Sequence, residues 1–213
     1  MQPVVLRQRQ RGLGAAALRP CARAVMLVVL TLLSAYSYTA LRHGAMAADG
    51  SRPGPADPVG GFAFVTNQGS ETVSVVDLGT AKVVVSIPVP GKPAGVALSP
   101  DRRRVYVSAP EAKDIAVIDA EKREVVRRVP VGSGPLGIAV NPRSGEVLVA
   151  DWYEHKLYVL DAAAKGIVGE VSVGKSPSGI AVTPDGSLIV TADRDSNQVS
   201  IIDAATRTVL GVV

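Results

Sequence analysis

The sequence predicts an all-β fold of repeated four-stranded antiparallel sheets, and three observations carry that prediction. The apolar residues are mostly Val, Ala and Ile, and 21 Gly and 15 Pro interrupt them, which suits short strands joined by turns. No segment holds an apolar period of 3.6 residues, so a helical reading finds no support. The chain also repeats itself with a period of about 42 residues, and a fixed period of that size marks an architecture of stacked units.

The repeat fixes each element in turn. "VSVVD" ends at Asp77, "IAVID" at Asp119, "LYVLD" at Asp161 and "VSIID" at Asp203, each one full period after the last. "KPAGVALSPD" (92–101), "GPLGIAVNPR" (134–143) and "SPSGIAVTPD" (176–185) keep that spacing. So do "FAFVTN" (62–67), "RVYVSA" (104–109), "EVLVAD" (146–151) and "LIVTAD" (188–193). Within one unit, "GIAV" is strand one, "TPDG" a turn and "LIVTA" strand two. After a polar loop come strand three, "QVSIID", and a fourth strand of the "EVVRRVPV" type. Strands one and two are apolar almost throughout, as in a sheet buried on both faces. Strands three and four alternate more, as expected nearer an outer edge.

Four strands in a unit of about 42 residues describe a blade of a β-propeller. The blades are expected at 62–91, 92–133, 134–175 and 176–213. The motif "FVTN" (Phe64 to Asn67), together with "AVTPDG" and "VSIID", resembles the YVTN-repeat family of propellers over Phe62 to Val213. WD40 repeats fit poorly, because no Trp-Asp dipeptide ends strand three. The resemblance implies the fold and leaves the activity open, since such propellers host unrelated functions.

The expected array is incomplete at both ends, about 3.7 blades. Positions 52–56, "RPGPA", stand where strand one of the first blade belongs and make a poor central strand. The last blade stops inside strand four, at "RTVLGVV". An open arc leaves two Val-rich faces in water, and stacked units are stabilised only by their neighbours. Three expectations follow. The sequence is a truncated form of a propeller of about seven blades, or two chains pair into one ring as a homodimer, or the chain forms a strained four-bladed ring or a poorly folded remnant.

Charge divides the chain. Arg7, Arg9, Arg11, Arg19, Arg23 and Arg42 precede position 48 with no acidic residue among them, and the remainder holds 17 basic against 19 acidic groups. Five of those arginines lead into an apolar run from about Ala24 to Leu41, closed by "AMA" at 45–47. That is the pattern of a signal peptide over 1–47. An uncleaved membrane anchor is the alternative. The run is short for a span of ~20 residues and holds Thr31, Ser34, Ser37 and Thr39, which favours cleavage. Either way the body is expected outside the cytoplasm, periplasmic or extracellular, with no membrane contact beyond that segment. Cys21 is the single cysteine and precedes the apolar run, so the body has no disulfide. Residues 48–61, "ADGSRPGPADPVGG", read as a linker.

Chemistry is sought in the loops from strand two to strand three, which share one face of a propeller with the loops from strand four to strand one. They read "QGSET" (68–72), "PEAKD" (110–114), "WYEHK" (152–156) and "RDSNQ" (194–198). Asp151, Trp152, Tyr153, Glu154 and His155 stand out, with the only Trp of the chain and the only His of the body. Trp152 and Tyr153 are the candidate anchors for a protein or small-molecule partner; the plainer reading is a Trp packed on the neighbouring blade. Asp77, Asp119, Asp161 and Asp203 recur at one place and read as structural acceptors for the following turn. Gly95, Gly137 and Gly179 read as sites of close backbone approach. Asn67, Asp151 and Asp193 end strand two, where capping the loop is expected. Arg102, Arg103, Arg104 and Arg143 read as solvated turn residues or as an anionic docking patch on the opposite face.

Several functions lose support. A body of net charge −2 with its aromatic residues elsewhere does not suit nucleic acid. One histidine is too few for a multi-histidine metal centre, and the body has no thiol nucleophile. No Gly-x-Ser-x-Gly elbow occurs, and no phosphate-cradling loop is assigned. No catalytic residue, metal or cofactor is assigned. The expected function is an exported, non-catalytic binding or scaffolding module of the cell envelope. The alternatives are a companion of a periplasmic, quinoprotein-type dehydrogenase, which the resemblance implies, and a propeller enzyme of lactonase or lyase type.

Overall fold

The computed structural model describes residues 61–213. The leader at 1–47 lies outside the described residues, as does the linker at 48–61 apart from Gly61. Fifteen strands form four antiparallel sheets. The first holds β1 (Phe62–Asn67), β2 (Thr72–Asp77) and β3 (Lys82–Pro88). The second holds β4 (Val96–Leu98), β5 (Arg104–Ala109), β6 (Asp114–Asp119) and β7 (Glu124–Pro130). The third holds β8 (Pro135–Val140), β9 (Val147–Asp151), β10 (Lys156–Leu160) and β11 (Ile167–Ser172). The fourth holds β12 (Pro177–Val182), β13 (Leu188–Asp193), β14 (Gln198–Asp203) and β15 (Thr208–Val212). Each sheet is an up-and-down meander in sequence order, the arrangement of propeller blades.

Turn chemistry sets the strand ends. In the last blade Thr183 carbonyl accepts from Gly186 N–H at 2.8 Å, with Gly186 at φ +72°, a left-handed conformation that glycine adopts without steric cost. Asp185 accepts from Thr183 Oγ1 and Ser187 N–H at 2.6 and 3.1 Å, which holds its carboxyl down at about 2. Between strands three and four the repeated aspartates act alike. Asp77, Asp119, Asp161 and Asp203 accept backbone N–H groups of Thr80, Lys122, Ala163 and Thr206 at 2.8 to 3.0 Å.

Three seams form the core. Val73, Val75 and Ile87 of the first sheet meet Val105, Val107 and Ile118 of the second. Tyr106, Ile115 and Val117 meet Val147, Val149 and Leu160 across the next seam, and Leu148, Leu157 and Val159 meet Ile189 and Ile202 across the last. Full burial of each such side chain stabilises the fold by about 1.5–3 kcal/mol. Polar clasps fix the spacing between sheets. Thr66 Oγ1 donates to Ala94 carbonyl at 2.8 Å, and Ser108 Oγ to Leu136 carbonyl at 2.6 Å. Arg207 reaches back to Glu146 at 3.0 Å.

The burial pattern departs from the expectation in one respect. In the middle blades strand three is buried as thoroughly as strand two, whereas strand one is only partly covered. Strand three has hydrogen-bonded neighbours on both sides and sheets packed on both faces. Strand one is an edge, bonded on one side only, so position within the stack decides burial more than composition does.

Candidate functional site

The loop after β9 and the loop after β13 lie side by side, one blade apart. Asp151 at the end of β9 is fully buried, and its carboxylate organises the first loop. Oδ2 accepts from the N–H groups of Ser133 and Gly134, both at 2.7 Å. Oδ1 accepts from Tyr153 and Glu154 N–H at 3.0 and 2.8 Å. Four backbone donors saturate this group, which ties the strand-four-to-one loop of the blade to its two-to-three loop. Asp193, its equivalent in the last blade, is buried among Thr191 Oγ1 at 2.8 Å, Ser200 Oγ at 2.6 Å and Gly174 N–H at 3.0 Å. Asn67 in the first blade donates to Ser74 Oγ at 2.8 Å instead.

On this frame Glu154 accepts from the Ser133 hydroxyl and the Tyr158 phenol. The Ser133 bond, followed by that of Tyr158, lowers the Glu154 carboxyl below its usual range. Burial, then the same carboxylate, raises the Tyr158 phenol well above its ordinary value. Neither group is poised to exchange a proton near neutrality. Tyr153 is 69% exposed and lies across Gly134, where an added methyl would come within 2.5 Å of its ring. His155 sits in the left-handed region at φ 57°. Its Nδ1 accepts from Ser176 N–H at 3.1 Å, a bond that crosses to the next blade.

Trp152 is half-buried, and the Arg194 guanidinium stacks 4.4 Å from its ring centroid. Arg194 Nε donates to Asp195 at 2.9 Å, and Asp195 also accepts from Ser176 Oγ at 2.7 Å. These bonds, that of Ser176 first, lower the Asp195 carboxyl. The five loop residues singled out in the sequence therefore split by role. Asp151 and Glu154 are internal struts, Trp152 and His155 reach the fourth blade at Arg194 and Ser176, and Tyr153 stands exposed over Gly134 of its own blade. Arg194, Asp195, Ser176, Ser133 and Tyr158 belong to the same cluster and were not identified from the sequence. A usable signal existed, because Arg194 stands one full repeat after Trp152, and equivalent positions of adjacent blades are spatial neighbours.

Other candidates lie elsewhere. Gly95 and Gly137 each face the next inner strand, where a Cβ would come to 2.6 Å from the Leu136 and Ser178 carbonyl oxygens. Gly179 has only Ala192 Cβ at 3.7 Å. Arg104 pairs with Asp119 at 2.6 Å, and Arg102, Arg103 and Arg143 are exposed. Among the described residues no group of three or more His, Cys, Asp or Glu is placed to hold a metal ion.

Comparison with known proteins bears on both fold and function. None of the curated proteins matches the chain. Among solved structures, a chain of Kuenenia stuttgartiensis hydrazine synthase is similar, at 26% identity and a TM-score of 0.68. The likeness covers 81% of this chain and 51% of that one, so the sequence spans about half the length of that chain. A family model described as YNCE-like beta-propeller matches residues 58–142 and again 94–187. Together these matches cover more than half of the sequence, and the chain belongs to the YNCE-like β-propeller family.

Proposed function

We propose that this protein is an exported, non-catalytic binding module of the cell envelope, which engages a protein or small-molecule partner at the seam between its third and fourth blades. One observation carries the reading. An exposed Tyr153 and a Trp152 ring stacked by Arg194 of the adjacent loop stand beside carboxylates already committed to hydrogen bonds. Aromatic and Arg side chains held rigid in this way are the groups that dominate binding energy at interfaces. Export rests on the leader sequence, with Arg-rich start, apolar run and "AMA".

The test is capture from envelope extracts of the source cells with the parent chain, Tyr153→Ala and Arg194→Ala. A partner held by the parent and lost by both variants, at parent-like circular dichroism, supports the reading. Identical capture by all three contradicts it. A second reading, a component of an enzyme assembly, is favoured by the likeness to a hydrazine synthase chain. It requires that the captured complex support a turnover that is lost when this chain is removed, whereas a module outside any enzyme assembly leaves such a turnover unchanged.

A further inference from the structure

Two successive amides in the loop before the first strand of a blade need acceptors, and blades three and four supply them differently. In blade three the N–H groups of Ser133 and Gly134 both go to one carboxylate oxygen, Asp151 Oδ2, at 2.7 Å. Their repeat equivalents in blade four are Lys175 and Ser176. Lys175 N–H goes to Ser196 Oγ at 2.7 Å, and Ser176 N–H crosses to His155 Nδ1 of blade three at 3.1 Å. Ser176 is 4% exposed, so its N–H depends on that ring, whereas His155 itself is open to solvent.

Ser176 also holds the neighbouring loop. Its Oγ donates to Asp195 at 2.7 Å, and its carbonyl accepts from Arg194 N–H at 3.2 Å. Arg194 Nε donates to Asp195 at 2.9 Å, and its guanidinium covers Trp152. A continuous path of contacts thus runs from His155 through Ser176, Asp195 and Arg194 to Trp152. Neutral imidazole offers one nitrogen as an acceptor, and imidazolium offers donors only. Histidine is the side chain that ordinarily changes charge between about pH 5 and 8, and His155 is the only one in residues 48–213. Protonation sets Nδ1–H against Ser176 N–H and leaves a buried amide without its acceptor. A carboxylate is at hand in Asp195, which is lowered first by its Ser176 bond, then by Arg194, with the His155 charge adding to the effect. The other charged groups around the ring are Asp151 and Glu154, tied to their own donors, and Lys156, paired with Glu170 of β11 at 2.9 Å. Lys175 stands on the loop before β12, and Arg194 on the loop after β13.

We propose that His155 is a pH-sensitive latch at the seam between blades three and four. Neutral, it holds Ser176 and through it the Asp195–Arg194 pair over Trp152; protonated, it releases Ser176 and turns to Asp195. Its effect on a partner rests on the binding reading above, but the latch itself is read without one. The test is nuclear magnetic resonance of the full chain between about pH 8 and 5.5, on the parent and on His155→Asn. Asn197 stands at the equivalent place in blade four in the same left-handed conformation, φ 51°, and an Asn side chain accepts a bond without titrating. In the parent, the protection of Ser176 N–H against exchange, corrected for intrinsic rate, is expected to fall at least about fivefold on acidification, the equivalent of one ordinary hydrogen bond. The Arg194 Nε–H signal should move with the same midpoint as the His155 ring, and neither should respond in His155→Asn. Ser176 protection that stays constant while the His155 ring titrates overturns the proposal, and the parent alone decides this should the variant fail to fold. An equal response in folded His155→Asn overturns it as well. Partner capture at both pH values separates the two readings: a latch that titrates while capture ignores pH upholds the latch and contradicts the binding site.

Discussion

Blades two and three reach the same face with loops of the same length, but they hold them differently. β5 ends in Ala109, and its loop closes with backbone bonds alone, Ala112 N–H to Ala109 carbonyl at 3.1 Å and Lys113 N–H to Pro110 carbonyl at 3.3 Å. β9 ends in Asp151, and one buried carboxylate gathers four backbone donors from two loops. Both positions are fully buried, so the sheets beneath them are alike. The difference teaches that a buried acid at the end of strand two, shared by Asp151 and Asp193 and replaced by Ala109 in blade two, holds the loop, and that the departure from the repeat is the aromatic pair which follows Asp151. Asp151 fixes a loop that presents aromatic groups, whereas Ala109 closes one that presents none.

The sharpest way to break that comparison is to give blade three the residue of blade two. Asp151→Ala strands several backbone donors, two of them in a loop bearing Gly132 and Gly134, and should cost about 3–4 kcal/mol. Urea unfolding measures it, and a loss below about 1 kcal/mol would show that water replaces the carboxylate without penalty. Next in size is Leu157→Ala, in the buried seam between blades three and four, at about 3 kcal/mol. Its repeat equivalent Val199, only half-covered, should lose about 1 kcal/mol on conversion to Ala. Gly137→Ala places a Cβ 2.6 Å from Ser178 carbonyl oxygen and should cost about 2 kcal/mol. Gly179→Ala meets nothing closer than 3.7 Å and should fall within about 0.5 kcal/mol of the parent. Equal effects at the two glycines would contradict the seam geometry.

The same contrast between buried strut and exposed turn extends to pH. Asp185 in its turn is lowered from 3.8 to about 2, and Asp77, Asp119 and Asp203 are lowered too, by hydrogen bonds from the turns that follow them. A depressed carboxyl contributes stability that is present above its unfolded value and lost as pH falls through the folded one. Stability should therefore hold above about pH 5 and decline between about 4 and 2. Asp185→Asn should make that decline shallower, as denaturant midpoints across the range would show. The smallest expected effect is the coupling between half-buried Trp152 and exposed Arg194 in a double-mutant cycle, about 0.5–1 kcal/mol.

The fold was legible because spacing alone carried it. Four Asp residues one period apart, and turns of the Thr-Pro-Asp-Gly kind, give the unit and its strands. Burial was less legible. "IAVID" and "GIAV" have similar composition, but Ile115 is enclosed between sheets while Ile180 lies on an edge strand. The site was half legible. Unusual residues drew attention to 151–155, and nothing in that pentapeptide shows that Asp151 is spent on backbone donors or that Arg194 covers Trp152. Adjacent apolar pairs in all four outer strands, at 83–84, 125–126, 167–168 and 209–210, are the trace of one-residue β-bulges at Val84, Val126, Val168 and Leu210. Alternation alone would have assigned those residues to a buried face.

Trp152 is the only tryptophan in the sequence, and it stands inside the rim assigned to binding, so its emission reports on that rim without any label. The measurement to make is a fluorescence titration of the chain with the partner recovered by capture. Binding at the blade seam requires a saturable change in Trp152 emission, with half-saturation shifted at least about tenfold by Tyr153→Ala. Emission that stays constant while calorimetry records binding would place the partner elsewhere on the propeller and contradict the assignment of the site.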